Sequence, residues 1–154
     1  MSDGKTYGIA FPFQDSMKGT YLRLTETSND EIRTDLIHLL LTRKGTRYFL
    51  PNFGTRLYEY IFEPMDSPTF NNIESDIRDS CERYMPNLKI TNITIKAASD
   101  IEEMNIVTTQ GEVIDRTYTV PKNNETLDHT AVIRIDYVIS NDVFNSRDFI
   151  ILNI

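Results

Sequence analysis

The sequence has no tryptophan, one cysteine and two histidines in 154 residues. A single thiol, Cys81, excludes an internal disulfide and suits a reducing compartment. With His38, His129 and Cys81 as the whole imidazole and thiol complement, the sequence offers no credible zinc set or Cys-His nucleophile pair. No apolar run approaches the roughly 20 residues of a membrane-spanning helix, and MSDGKTYGIAFPF has neither the basic start nor the apolar core of a signal peptide. The expectation is a soluble protein without a membrane partner, kept inside a cell or inside a particle assembled there. Positive charge is also scarce. Sixteen Lys and Arg face twenty-three Asp and Glu, and the net charge of -7 argues against nucleic acid as a partner. Gly4, Lys5 and Thr6 imitate the end of a phosphate-binding loop, but the motif's earlier glycine and preceding strand are missing. The length suits one domain with a real core, and the patterning divides it into an extended arm, residues 1–20, and a domain, residues 21–154.

What is present is concentrated between Ile32 and Pro64. Ser28 and Glu31 form a capping-box pattern that starts a helix. Ile32, Leu36, Leu39 and Leu40 then fall on one helical face, which Ile37 and Leu41 widen. His38, Arg43 and Lys44 suit a helix end, and Gly45 supplies a left-handed stop, so the helix is expected to close near Lys44. Tyr48, Phe49 and Leu50 lead into a tight reversal at Pro51, Asn52, Phe53 and Gly54. Leu57, Tyr58, Ile61 and Phe62 repeat at helical spacing until Pro64. These apolar positions read as core. Arg43, Lys44, Arg47 and Arg56 remain as a basic cluster in an acidic chain, either a docking edge or a solvated one.

A third helix is expected from Ser67 as cap and Pro68 in the first turn to Pro86, with Phe70, Ile73, Ile77, Cys81 and Tyr84 on its apolar stripe. Glu74 with Arg78 and Asp79 with Arg83 make outer i,i+4 pairs, and Cys81 reads as a packed thiol. Tyr7, Ile9, Phe11 and Phe13 alternate along the arm, which would lie as a strap on this protein or a neighbour, and Tyr21 to Thr25 suggests a short strand. Leu88 and Ile90 change phase with Ile93, Ile95 and Ala97, which calls for a bulge at Thr91 and Asn92. Residues 98–128 are polar, with a hairpin pattern around Thr109, Gln110 and Gly111, and read as mobile or ordered by a partner. Ala131, Ile133, Ile135, Tyr137 and Ile139 alternate as the clearest strand, and Phe149 to Ile154 forms the last one, joined to it by the loop SNDVFNSRD. The sum is an α+β domain: three helices packed on a mostly antiparallel sheet with a C-terminal β-hairpin. Five of the six final residues are apolar, and an uncovered edge there would invite another chain to add a strand.

The run LLLTRKGTRYFLPNFGTRLYEYIFEP, with Thr42, Gly45, Arg47, Pro51, Gly54 and Leu57 in one order, resembles the baseplate wedge and sheath-initiator family of contractile-tailed bacteriophages. Relatives of that family serve type VI secretion baseplates. GIAFPF, with Lys18 and Gly19 after it, looks like the phage branch, and the similarity spans nearly the whole chain, weakest over residues 98–128. The motif positions are Gly45, Pro51, Gly54, Leu57 and Pro86. Many members carry Glu-Pro-Arg where this chain has Met85, Pro86 and Asn87, which puts the polar contact of that triplet in doubt.

The resemblance implies a structural protein of the virion tail baseplate, assembled in the host cytoplasm, with no catalysis and no cofactor. Its partners would be the tail sheath protein and other baseplate wedge proteins, arranged in a sixfold ring. Ile133, Ile135, Tyr137, Phe149, Ile151 and Leu152 would form the sheath-binding hairpin, and Arg43, Lys44, Arg47 and Arg56 would dock on wedge or sheath. A type VI secretion baseplate subunit and an anti-adaptor that binds a response regulator are the alternatives of the same fold. A baseplate-borne muramidase is the catalytic one. Glu26 and Asp35 have the Glu-to-Asp spacing of phage-type lysozymes, but Thr42 falls one residue late and Asp35 lies within the expected helix, so the match is poor.

Overall fold

The computed structural model describes residues 8–11, 13–16, 21–60, 62–64, 66–97, 117–119, 131–140 and 145–153. The first helix, α1, spans Ser28–Leu41. Its cap is Thr27 rather than Ser28: the Thr27 hydroxyl accepts the Asp30 amide at 3.2 Å, while the Asp30 carboxylate accepts the Thr27 hydroxyl at 2.7 Å. The helix ends three residues earlier than Lys44, at the extended Thr42. Leu36, Ile37, Leu39 and Leu40 are all buried, so two adjoining faces of α1 are core.

Helix α2 is a single turn, Leu57–Tyr60, shorter than the spacing of its apolar residues predicts. Phe62 lies beyond it and is exposed, which corrects its reading as core, and Ile61 lies outside the described residues. Helix α3, Ser67–Tyr84, is capped by the Asp66 carboxylate, which accepts the Thr69 amide at 3.0 Å, so the cap falls one residue before Ser67. Its stripe is seated as expected, with Ile73, Ile77 and Cys81 buried and Phe70 and Tyr84 packed at the margin. Burial pushes the Cys81 thiol up to about 12, chiefly because a thiolate there would lose its water. Glu74 and Arg78 pair at 2.8 Å on the outer side.

The arm supplies β1, Gly8–Ile9, antiparallel to β2, Leu24–Thr25. Phe11 and Phe13 meet the His38 ring edge-on at centroid distances of 5.2 and 6.2 Å, so the described part of the arm lies on α1. Tyr7 lies outside the described residues.

The main sheet has the order β3-β5-β6-β4, with β3 at Leu88–Ala97, β4 at Thr117–Thr119, β5 at Ala131–Ser140 and β6 at Asn145–Asn153. All its pairings are antiparallel except the short β4–β6 ladder. The register shift between Ile90 and Asn92 is the bulge that the phase change requires, and it keeps Ile90, Ile93 and Ile95 on the face of Tyr137, Ile135 and Ile133. Strand β6 begins four residues before Phe149, so the hairpin connection is much shorter than SNDVFNSRD. The expected hairpin at Thr109–Gly111, the rest of the polar stretch outside β4, and Ile154 lie outside the described residues.

Candidate functional site

The residues singled out from the sequence fall in two places: the loop between α1 and α2, and the hairpin β5–β6. The loop is braced at its base. The Thr55 amide donates to the Thr42 carbonyl at 2.9 Å, the Lys44 amide to the Thr55 carbonyl at 3.0 Å, and the Gly45 amide to the Pro51 carbonyl at 2.8 Å. Thr55 is buried, and its hydroxyl donates to the Leu40 carbonyl at 2.7 Å, tying the loop to α1. From α3, Ser80 donates its hydroxyl to the Gly54 carbonyl at 3.0 Å, and the Asp76 carboxylate accepts the Arg56 amide at 2.7 Å. Gly54 sits at φ +108°, and a Cβ there would stand 2.2 Å from the Thr42 carbonyl oxygen. Only glycine fits both the left-handed backbone and this close approach. Gly45, at φ +90°, has open space where a Cβ would stand, so its requirement is the dihedral alone.

The tip of the same loop is bare. Tyr48 is 92% exposed and Phe49 91%, their rings meeting edge-on at 5.3 Å, and Leu50 is half-exposed beside them. These three were expected in the core. The hydrogen bonds at the base turn the chain back at both ends, and every residue from Thr46 to Leu50 between them is exposed. The available signal was the short run between Gly45 and Pro51, too brief for a helix and unpaired by any neighbouring strand pattern.

The four basic residues are divided by the fold. Arg56 is engaged, its Nε 3.5 Å from an Asp76 carboxylate that is only 6% exposed. The Arg47 guanidinium lies over the Phe53 ring at 3.9 Å. Arg43 and Lys44 are exposed and have no ion pair among the described residues. Asp76 and Ser80 were not foreseen as bracing groups. Their placement three residues past Ile73 and Ile77, respectively, puts two polar side chains on the buried stripe of α3, a pattern that asks for polar partners.

Beside the loop base is a groove of about 400 Å³ lined by, among others, Asp35, His38, Arg47, Phe53, Met85 and Asn87. The departure from Glu-Pro-Arg therefore lies in the wall of this groove, next to the Arg47–Phe53 stack. Burial raises the pKa of Asp35, and His38 opposes that shift. Glu26 is exposed and is not part of the groove lining, so the groove does not bring together the two carboxylates that a muramidase reading would pair.

The hairpin side chains also divide. Ile133, Ile135, Tyr137 and Leu152 point into the core and are buried to 1% or less. Phe149 and Ile151 face the other side of the sheet, opposite Asp136 and Arg134, and the Arg134 guanidinium covers the Phe149 ring at 4.7 Å. The Tyr137 hydroxyl donates to Asp148 at 3.2 Å, and Asp148 in turn lies 3.4 Å from Arg33 of α1. The final strand is not the sheet edge that the sequence left open. Strand β4 runs parallel to it, Thr117 opposite Ile151 and Thr119 opposite Asn153.

Fold and site together define an α+β protein with an exposed loop hydrogen-bonded at its base and, among the described residues, a four-stranded sheet that ends on a short strand. The family model described as "Baseplate wedge protein gp25" matches residues 26–115, more than half of the sequence, and the chain belongs to that family. Over 57 residues it is 35% identical to the baseplate wedge protein gp25 of Enterobacteria phage T4. That match is 37% of this chain and 43% of the relative, so it spans less than half of that protein's length. Among solved structures, a Geobacter sulfurreducens protein described as a tail lysozyme has the same fold, with a TM-score of 0.59, 15% identity, and coverage of 86% of this chain and 94% of that one. A chain of the anti-feeding prophage baseplate, solved by cryo-electron microscopy, is 26% identical with a TM-score of 0.51, covering 58% of this chain and 70% of its own. Membership in the family places this protein with the structural components of contractile-tail baseplates.

Proposed function

We propose that the chain is a wedge subunit in the tail baseplate of a virion that starts sheath polymerisation by main-chain strand pairing. Residues 21–154 act as one wedge domain in this reading, and the arm straps α1. The observation that carries it is the sheet order: among the described residues, the strand on the outer side of the nine-residue β6 spans only three residues. A three-residue parallel strand is a weak occupant, because each ladder bond it makes is offset by the ordering of its own chain. An incoming sheath strand that extends or displaces β4 gains a longer antiparallel or parallel ladder along β6. The hairpin supplies backbone and register, since its inward side chains are already committed to the core.

The test is sheath growth from purified components, followed by sedimentation and negative-stain microscopy. The chain is expected to shorten the lag of its cognate sheath subunit and to be found at one end of the tubes. Equal lag with and without it would contradict the reading. A related role in a type VI secretion baseplate draws on the likeness to the anti-feeding prophage chain, and recovery of the protein in purified phage particles would exclude it. The lysozyme description belongs to the Geobacter protein, whose 15% identity carries the fold alone. The proposed role is structural, and a Glu26→Gln change is expected to leave tail function intact.

A further inference from the structure

Among the described residues, Tyr48–Leu50 is the only run of three consecutive large apolar residues that are all exposed. An exposed aromatic run is costly unless something covers it. This one is also held in place: the base is fixed by the Thr42–Thr55, Lys44–Thr55 and Gly45–Pro51 hydrogen bonds, the Thr46 amide donates to the Arg43 carbonyl at 3.2 Å, and the Phe53 amide donates to the Leu50 carbonyl at 3.0 Å. Two aromatic rings on a rigid loop lose little freedom on binding, which is what an anchor requires. The surroundings indicate the partner's charge. No acidic residue occurs between Asp35 and Glu59, although the whole chain carries -7, and Arg43 and Lys44 remain exposed at the loop's edge.

We propose that Tyr48, Phe49 and Leu50 dock into an apolar groove rimmed by carboxylates on another protein of the baseplate, with Arg43 and Lys44 facing that rim. This rests on the wedge reading and names the chemistry of the partner it needs. A lipid surface fits less well, because Arg43 and Lys44 on a chain of net charge -7 give weak attraction to anionic headgroups.

The experiment places a photo-crosslinking benzoylphenylalanine at Phe49 and co-expresses the chain with other baseplate wedge proteins of the same source. Crosslinks are expected to a different baseplate protein, at apolar positions with Asp or Glu nearby. Tyr48→Ser with Phe49→Ser is expected to lower recovery in the wedge at least tenfold while circular dichroism and melting stay as in the wild type. Arg43→Glu with Lys44→Glu should lower recovery and abolish its dependence on salt. Crosslinks to a second copy of the chain, flotation of the purified chain with phosphatidylglycerol vesicles, or variants recovered at wild-type levels would each overturn the docking proposal. If the wild type itself never enters the wedge, the wedge reading fails along with it.

Discussion

The α1–α2 loop and the β5–β6 hairpin are both rich in apolar residues, yet they expose opposite chemistry. In the loop the backbone is satisfied internally and the side chains of Tyr48, Phe49 and Leu50 face solvent. In the hairpin Ile133, Ile135, Tyr137 and Leu152 are buried, and among the described residues the main chain of β6 is flanked on its outer side by the three-residue β4. Apolar content therefore does not identify an interface. The proposed interfaces rest instead on whether the backbone or the side chains are left over after the domain has folded.

This contrast can be broken most severely from the hairpin side. Ile135→Ala is expected to cost about 2–5 kcal/mol in urea unfolding, because the side chain is fully buried and its β3 and β6 neighbours cannot close the gap. A cost under about 1 kcal/mol would mean that the hairpin is packed more loosely than its burial implies. Gly54→Ala attacks the loop's backbone instead. With a Cβ 2.2 Å from a carbonyl oxygen and φ at +108°, it should cost about 1–3 kcal/mol and shift the amide resonances of Thr42 and Thr55. Asp76→Ala leaves the Arg56 amide without its acceptor and should cost about 1–3 kcal/mol, recovered in part by Asp76→Asn. Phe49→Ser should change stability by no more than about 0.5 kcal/mol, since the ring is 91% exposed. A larger loss would place Phe49 in the fold rather than at an interface.

Much of this architecture was legible in the residues. The stripes of α1 and α3 and the alternation of β5 follow from periodicity, and the bulge at Thr91 and Asn92 follows from a phase slip, all of which are local patterns. The caps were displaced by one residue, to Thr27 and Asp66, because several adjacent side chains could serve and only the backbone path selects one. The exposed tip was missed for a different reason. Composition treats Tyr48 and Phe49 as core, and only long-range bonds from Thr55, Asp76 and Ser80 fix the turn that excludes them. The β4–β6 ladder was likewise invisible, since a three-residue parallel strand has no periodicity of its own.

Hydrogen exchange on the chain bound to its cognate sheath subunit addresses the strand-pairing claim most directly. Strand addition should slow exchange at backbone amides of β6 and at Thr117–Thr119, where a sheath strand extends or replaces β4, with α3 unchanged. Protection confined to Arg43–Gly54, with β6 exchanging as in the free protein, would show that sheath is held by the loop and would contradict strand addition at the hairpin.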